Sequence, residues 1–152
     1  MQEAFSRTQM LLGREAMDKL SRSRVAVFGI GGVGGYVCEA LSRSGVGAFD
    51  LVDSDRVSLT NLNRQIIATR KTIGQYKVDV MRERILEINP EVKVRIYKCF
   101  FLPENAAAFP FVEYDYVVDA VDTVTSKIEL IVRAQAANVP IISSMGTGNK
   151  LD

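Results

Sequence analysis

Residues 25–35 read Val25-Ala26-Val27-Phe28-Gly29-Ile30-Gly31-Gly32-Val33-Gly34-Gly35, and this stretch decides the fold. Four apolar residues make a buried strand. Gly29, Gly31 and Gly34 follow at once with the G-x-G-x-x-G spacing. A helix opens there, with Val33, Val37, Ala40 and Leu41 on one stripe, and Gly45 and Gly47 mark its end. Strand, glycine turn and helix in that order let the backbone approach a phosphate at a helix N-terminus, whose N–H groups and dipole favour an anion. The other reading is a tight strand–helix turn with no ligand. Asp53, 19 residues after Gly34, ends a second strand, Ala48 to Asp53, where a carboxylate can accept hydrogen bonds from ribose hydroxyls. That spacing favours a nucleotide site, although it does not separate NAD from FAD, ATP or S-adenosylmethionine.

The rest of the chain extends the alternation. Leu12, Ala16 and Leu20 predict a helix over residues 8–20 ahead of the first strand. A polar connector, Ser54 to Gly74, precedes a helix from Tyr76 to Asn89 with Val78, Met81, Ile85 and Ile88 inward, stopped by Pro90. Val92 to Cys99 alternates as a strand, and Pro103 to Ala106 makes a short helical turn. Tyr114 to Ala120 reads as a strand, Thr123 to Asn138 as a helix with Ile128, Ile131 and Val132 on its core face, and Ile141 to Ser144 as a last strand. The expected fold is α/β and Rossmann-like: a parallel sheet with helices on both faces, and an N-terminal helix. Residues 1–152 read as one domain. Met145 to Asp152 leaves a strand with no closing helix after it, so a C-terminally truncated domain is expected.

Composition narrows the chemistry. Nineteen Lys and Arg against eighteen Asp and Glu leave a net charge of +1, which excludes a basic nucleic-acid grip over the whole surface. The chain has no histidine, so a Ser-His-Asp triad and a His-bound zinc are unavailable within it. Cys38 and Cys99 form no C-x-x-C pair, and burial rather than catalysis is expected of both. No apolar run approaches the roughly 20 residues that span a bilayer. No signal peptide is legible, and a reducing cytoplasmic location is expected.

The connector points to the ligand. Beyond Asp53 it carries Asn61, Arg64 and Gln65, and Lys77 opens the next helix. An arginine fork and a lysine point charge suit a triphosphate better than a dinucleotide. Their alternative is solvated surface, as for most such residues. Arg64, Arg70, Lys71 and Lys77 make either a local basic patch or a solvated connector. Asp119 and Asp122 close the fourth strand at the sheet edge where ligands of open α/β sheets bind. Asp122 there can hold Mg²⁺ on phosphates or cap the following helix.

Together, the glycine stretch, D-L-V-D-S-D-R-V at 50–57, N-L-N-R-Q at 61–65, Lys77 and D-A-V-D at 119–122 resemble the ubiquitin-activating-enzyme-like adenylation family, which includes the molybdopterin and thiamine sulfur-carrier adenylyltransferases. The resemblance covers residues 5–152. It implies ATP held by Gly29, Gly31, Gly34 and Asp53, and phosphates gripped by Asn61, Arg64 and Lys77. It implies Mg²⁺ at Asp122, and a homodimer in which Arg7 reaches the partner's triphosphate. Asn63 to Ile66, Glu87 to Pro90, Phe100 to Pro103, Tyr116 to Asp122 and Gly146 to Asp152 are most similar to the branch of tRNA threonylcarbamoyladenosine dehydratases. That branch implies ATP-dependent adenylation of the threonyl carboxylate on tRNA, followed by cyclisation. The alternative is activation of the C-terminal Gly of a ubiquitin-like sulfur carrier, with a sulfur-carrier or cysteine desulfurase system as partner. Asp122-Thr123, where the sulfur-carrier branch usually has Asp-Asn, counts mildly against it.

Overall fold

A computed structural model describes residues 3–144. Five strands form one parallel sheet: β1 (Arg24–Phe28), β2 (Ala48–Val52), β3 (Lys93–Tyr97), β4 (Tyr116–Asp119) and β5 (Ile141–Ser143). Their spatial order is β3-β2-β1-β4-β5. Every pairing is parallel, with Phe28 opposite both Val52 and Asp119. The chain runs outward from β1 through β2 to β3, then returns to β4 on the other side. The strand order therefore reverses between β1 and β4, and a crevice opens at their carboxyl ends.

The central strands are apolar because both faces are covered. Val27 and Phe28 on β1, Phe49 and Leu51 on β2 and Val117 on β4 are all fully buried. On one face, α3 (Gly34–Arg43) and α4 (Lys77–Ile88) pack Cys38, Val78, Met81 and Ile85 against Val25, Val27 and Leu51. On the other, α5 (Val124–Ala136) supplies Leu130 and Ala134, and an aromatic cluster fills the remaining space. Phe28 lies at its centre, 4.9 Å from Phe101 edge-on and 5.9 Å from Phe111 stacked. The expected Rossmann-like sheet is present, and α4 buries Val78, Met81 and Ile85 as its periodicity predicts, while Ile88 at its end is only partly covered and Val80 is buried instead.

One charge is buried in this face by design of its neighbours. Asp50, in the middle of β2, is wholly inaccessible. Its carboxylate accepts hydrogen bonds from Arg24 Nη1 at 2.6 Å, Arg95 Nε at 2.8 Å, Tyr97 at 3.1 Å and Tyr114 at 3.0 Å. Four donors satisfy the carboxylate, as a buried charge requires. Burial, and then the Asp50 charge, push the Tyr114 phenol far above its ordinary range.

Five expectations are corrected. The N-terminal helix is two helices, α1 (Ser6–Leu12) and α2 (Arg14–Arg22), broken by Gly13 at φ 83°. Leu12 is left exposed, and Met17 takes the core position instead. On α3 the stripe holds only in part: Val37 and Leu41 pack against the core as expected, but Val33 and Ala40 face solvent, while Gly34, Gly35, Cys38 and Ser42 are buried. The small residues go inward because the helix lies close on the sheet. On α5, Ile128, Ile131 and Val132 are exposed, and Ser126, Lys127, Leu130 and Ala134 face inward. Two polar residues displace the aliphatic stripe there because each finds a partner below. β2 to β5 are shorter at their ends than predicted by one or two residues, while β1 starts one residue earlier, at Arg24. The short turn after Pro103 falls instead at Ala106–Ala108, followed by Phe111–Glu113. The readings made on Met145 to Asp152 lie outside the described residues.

Candidate nucleotide-binding site

A cleft of about 530 Å³ opens at the carboxyl ends of β1, β2 and β4. The glycine turn makes its floor. Gly29 has φ 93°, and a Cβ there would sit 2.5 Å from the carbonyl oxygen of Ala120. Only glycine lets β1 leave the sheet so close to the end of β4. Gly31 and Gly32 line the cleft, and a Cβ at either would meet only ordinary contacts, with the Gln65 and Arg64 side chains at 3.6 and 3.7 Å. Gly34 is not in the cleft. It is buried at the start of α3, where a Cβ would collide with the carbonyl of Gly29. Its role is to let α3 close down on the turn, so that Gly31, Gly32 and Val33, which lead into the helix N-terminus, line the cleft.

Asp53 ties this floor to the next wall. One carboxylate oxygen accepts the Ile30 N–H at 2.7 Å and the other the Asp55 N–H at 2.8 Å. Its own N–H donates to the carbonyl of Tyr97 at 3.1 Å. Asp53 therefore fixes the glycine turn, the start of the connector and the exit of β3 to one another while lining the cleft.

The connector supplies the polar wall. It is irregular apart from a 3-10 turn at Leu59–Asn61. Asn61 is buried, and its Oδ1 accepts the Ser58 N–H at 2.9 Å, closing that turn. Arg64 is exposed at the rim, where Nη1 donates to the Thr60 carbonyl and to Asn63 Oδ1, both at 3.0 Å. Lys77, at the first position of α4, is only 6% exposed. Its sole ion-pair partner among the described residues is Asp55 Oδ2, at 3.7 Å. A buried ammonium so loosely paired is poised for a closer anion. Ser54 Oγ and Gln65 Oε1 are buried in the same cleft with no hydrogen-bond partner among the described residues. Unpartnered buried polar atoms are rare in a folded chain, and here two share the wall of one cleft.

Asp122 stands exposed at the opposite lip and pairs with nothing among the described residues. It does not cap α5, whose N-cap is Thr123 and shows no side-chain cap. Asp119, expected to share this edge as a ligand, is instead wholly buried. Lys127 of α5 holds both its oxygens at 3.2 Å and donates to the Ser144 carbonyl at 2.8 Å. The pair locks the end of β4, the helix α5 and the end of β5 behind the cleft. Lys127 carried no sequence signal beyond an i+8 spacing from Asp119, because its burial is visible only once α5 is docked. Gln65 and Ser54 were legible only as parts of a polar connector.

Arg7 is exposed on α1 and does not line the cleft of its own chain. Arg70 and Lys71 are exposed on the connector away from the cleft, and Lys77 is buried, so the four basic residues make no single surface patch. Cys38 is fully buried, and burial pushes its thiol far up the scale. Cys99 is half-buried at the cleft wall, its thiol also raised by burial. No group of three or more potential metal ligands occurs among the described residues. A lone carboxylate such as Asp122 fits a Mg²⁺ that takes its remaining oxygens from phosphates and water, and no other cation site is needed.

Residues 5–150 match the ThiF family. The chain belongs to that family. It is 48% identical over 148 residues to the tRNA threonylcarbamoyladenosine dehydratase of Bacillus subtilis, covering 97% of this chain and 58% of that protein. A solved structure of the E. coli tRNA N6-threonylcarbamoyladenosine dehydratase in complex with ATP superposes with a TM-score of 0.94 at 41% identity, covering 99% of this chain and 62% of that one. The E. coli molybdopterin-synthase adenylyltransferase is 35% identical over 129 residues, 85% of this chain and 51% of that protein. The chain thus spans about three fifths of the length of the dehydratases it matches. No helix among the described residues is long and apolar enough to cross a membrane.

Proposed function

We propose that this ThiF-family chain is the ATP-binding adenylation domain of a cytoplasmic tRNA threonylcarbamoyladenosine dehydratase. The observation that carries the reading is the cleft wall: a buried, loosely paired Lys77 beside unpartnered Ser54 Oγ and Gln65 Oε1, facing a glycine turn at a helix N-terminus. That arrangement wants a polyanion with further hydrogen-bonding groups. The identity to the dehydratases of Bacillus subtilis and E. coli, 48% and 41%, exceeds the 35% to the E. coli molybdopterin-synthase adenylyltransferase, which supports tRNA over a ubiquitin-like substrate.

Each residue then has a task. Asp53 takes the ribose hydroxyls on the carboxylate that already organises the turn. The amides of residues 31–33, with Asn61, Arg64 and Lys77, take the phosphates. Asp122 would hold Mg²⁺, which supplies charge neutralisation on the phosphate oxygens. The threonyl carboxylate attacks the α-phosphorus, and pyrophosphate leaves. An atom of the carbamoyl group then attacks the acyl carbon and expels AMP, a carbamoyl N–H proton passing to solvent, so the net change is loss of water. The nucleophile is already anionic, which is why the site works without a histidine base. Arg7, remote from its own cleft, serves the partner's site in a homodimer.

Full-length protein with ATP, Mg²⁺ and threonylcarbamoyl-modified tRNA is expected to release AMP and pyrophosphate and to lighten the nucleoside by one water. Pyrophosphate exchange stimulated by a sulfur-carrier protein ending in Gly-Gly, and not by tRNA, moves the assignment to the other branch. Dependence of that turnover on mixing Arg7→Ala subunits with cleft-dead subunits tests the shared site.

A further inference from the structure

Arg64, Arg70, Lys71 and Lys77 make no common surface, but the fold assembles a different basic set. Residues 55–57 and 74–77 run antiparallel as a short ribbon, with Arg56 opposite Tyr76. Val57 N–H donates to the Gln75 carbonyl and Gly74 N–H to the Val57 carbonyl, both at 2.8 Å. On this ribbon the Arg56 guanidinium lies 3.9 Å from the centroid of the Tyr76 ring. Lys98 Nζ, just past the end of β3, lies 4.6 Å from the same centroid. Arg56 Nη1 also donates to the Gly74 carbonyl at 2.8 Å. Arg70 and Lys71 stand at the tip of a turn closed by Thr72, whose N–H donates to the Thr69 carbonyl at 3.0 Å and whose Oγ1 accepts the Thr69 N–H at 2.9 Å. Gln75 Nε2 donates to the Lys71 carbonyl at 3.1 Å and ties that tip to the ribbon.

The result is a shoulder of positive charge that the chain does not neutralise. Arg56, Arg70 and Lys71 are exposed and have no ion-pair partner among the described residues. Asp79 is shared between Lys98 at 2.7 Å and Arg82 at 3.3 Å, and Asp55 is turned to Lys77 at 3.7 Å. Cations held by backbone ties and an aromatic face, rather than by carboxylates, stay available to an outside anion. The shoulder also adjoins the cleft. Asp55 and Cys99 line the cleft, and Arg56 and Lys98 are their immediate neighbours in the chain. A nucleoside that enters the cleft as part of an RNA brings its flanking phosphates over this rim.

We infer that Arg56, Arg70, Lys71 and Lys98 form a dock for RNA backbone, which holds the substrate tRNA beside the cleft. The inference rests on the dehydratase reading above. The contacts are to phosphates, so the dock supplies affinity and register and reads no base sequence. The chain's net charge of +1 does not oppose it, because the positive charge is concentrated locally.

In full-length protein, replacing all four cations by glutamine should weaken tRNA binding on the order of 10²-fold, as fluorescence anisotropy would show. The slope of log Kd against log salt should fall by about 0.7 for each cation removed. In turnover, KM for tRNA should rise while kcat, and ATP affinity by calorimetry, stay those of wild type. Arg70→Gln/Lys71→Gln removes two side chains that make no hydrogen bond within the fold, so it tests the dock without disturbing the ribbon; it should give half of the slope change. Arg14→Gln/Lys19→Gln removes the same charge from α2 and should leave tRNA binding unchanged. If wild-type protein binds no tRNA, the dehydratase reading fails and the dock with it. If wild type binds tRNA and the shoulder variants bind it as tightly with the same salt slope, or if Arg14→Gln/Lys19→Gln loses as much as Arg70→Gln/Lys71→Gln, the dock alone is refuted. It is also refuted if the shoulder variants keep tRNA and lose binding of an acidic sulfur-carrier protein, because the shoulder then serves a protein.

Discussion

Replacing Lys127 by methionine should be among the most costly single changes in this chain. The substitution nearly conserves volume but removes the cation from a pair in which Asp119 is wholly buried and the Lys127 side chain is 9% exposed. One ammonium faces both carboxylate oxygens at 3.2 Å and the Ser144 carbonyl at 2.8 Å. An exposed pair would contribute less than about 1 kcal/mol. A buried anion left without its partner costs about 3–5 kcal/mol, which for a domain of this size corresponds to a fall in Tm of roughly 6–20 °C. The cost comes from the stranded charge, so removing both charges in Asp119→Asn/Lys127→Met should restore much of the loss. Urea denaturation of the two single variants and the double variant gives the coupling energy directly. The Asp119 carboxylate also accepts the Val121 N–H at 3.2 Å, and Val121 and Ala120 line the cleft, so ATP affinity should fall with the single variant. A loss below about 1 kcal/mol for Lys127→Met, or a double variant as damaged as the sum of the singles, refutes the reasoning.

Gly29→Ala combines a left-handed backbone at φ 93° with a Cβ 2.5 Å from the Ala120 carbonyl; it should cost about 2–5 kcal/mol and abolish ATP binding, as read by urea unfolding and calorimetry. Arg64→Ala should leave Tm unchanged, because the side chain is exposed, yet slow adenylation on the order of 10³-fold, as pyrophosphate exchange would show. Burial raises both thiols, so their thiolate fractions at neutral pH lie below that of free cysteine and grow as pH rises. Iodoacetamide trapping across pH 7–9 should label Cys99 slowly, faster with increasing pH and more slowly with ATP present, and leave Cys38 unlabelled in the folded chain; labelling of Cys99 indifferent to ATP places it outside the occupied cleft.

Periodicity and glycine placement settled the architecture. The run from Val25 to Gly35 and the alternation of strands and helices require a parallel sheet with a phosphate-sized turn after its first strand, because those features are local and backbone-driven. Asp53 and Lys77 could be singled out for the same reason, because they stand at a strand end and a helix start, whereas Asn61 and Arg64 were singled out by their side-chain chemistry within the polar connector. Other features depended on how helices rotate when they dock. α5 turns Ile128, Ile131 and Val132 outward and Ser126 and Lys127 inward, because a lysine that meets a buried carboxylate and a serine that meets a free carbonyl outweigh an aliphatic stripe with nothing to cover it. The difference between Asp119 and Asp122, one sealed under α5 and the other open at the cleft, is invisible in a D-A-V-D string, since β4 ends at Asp119 and strand alternation no longer governs Asp122 beyond it. Local sequence thus names the elements and the residues at their ends. Which side chains meet across the sheet edge, Lys127 with Asp119 or Asp53 with the Ile30 amide, is decided only when distant segments are packed together and each buried polar group must find a partner.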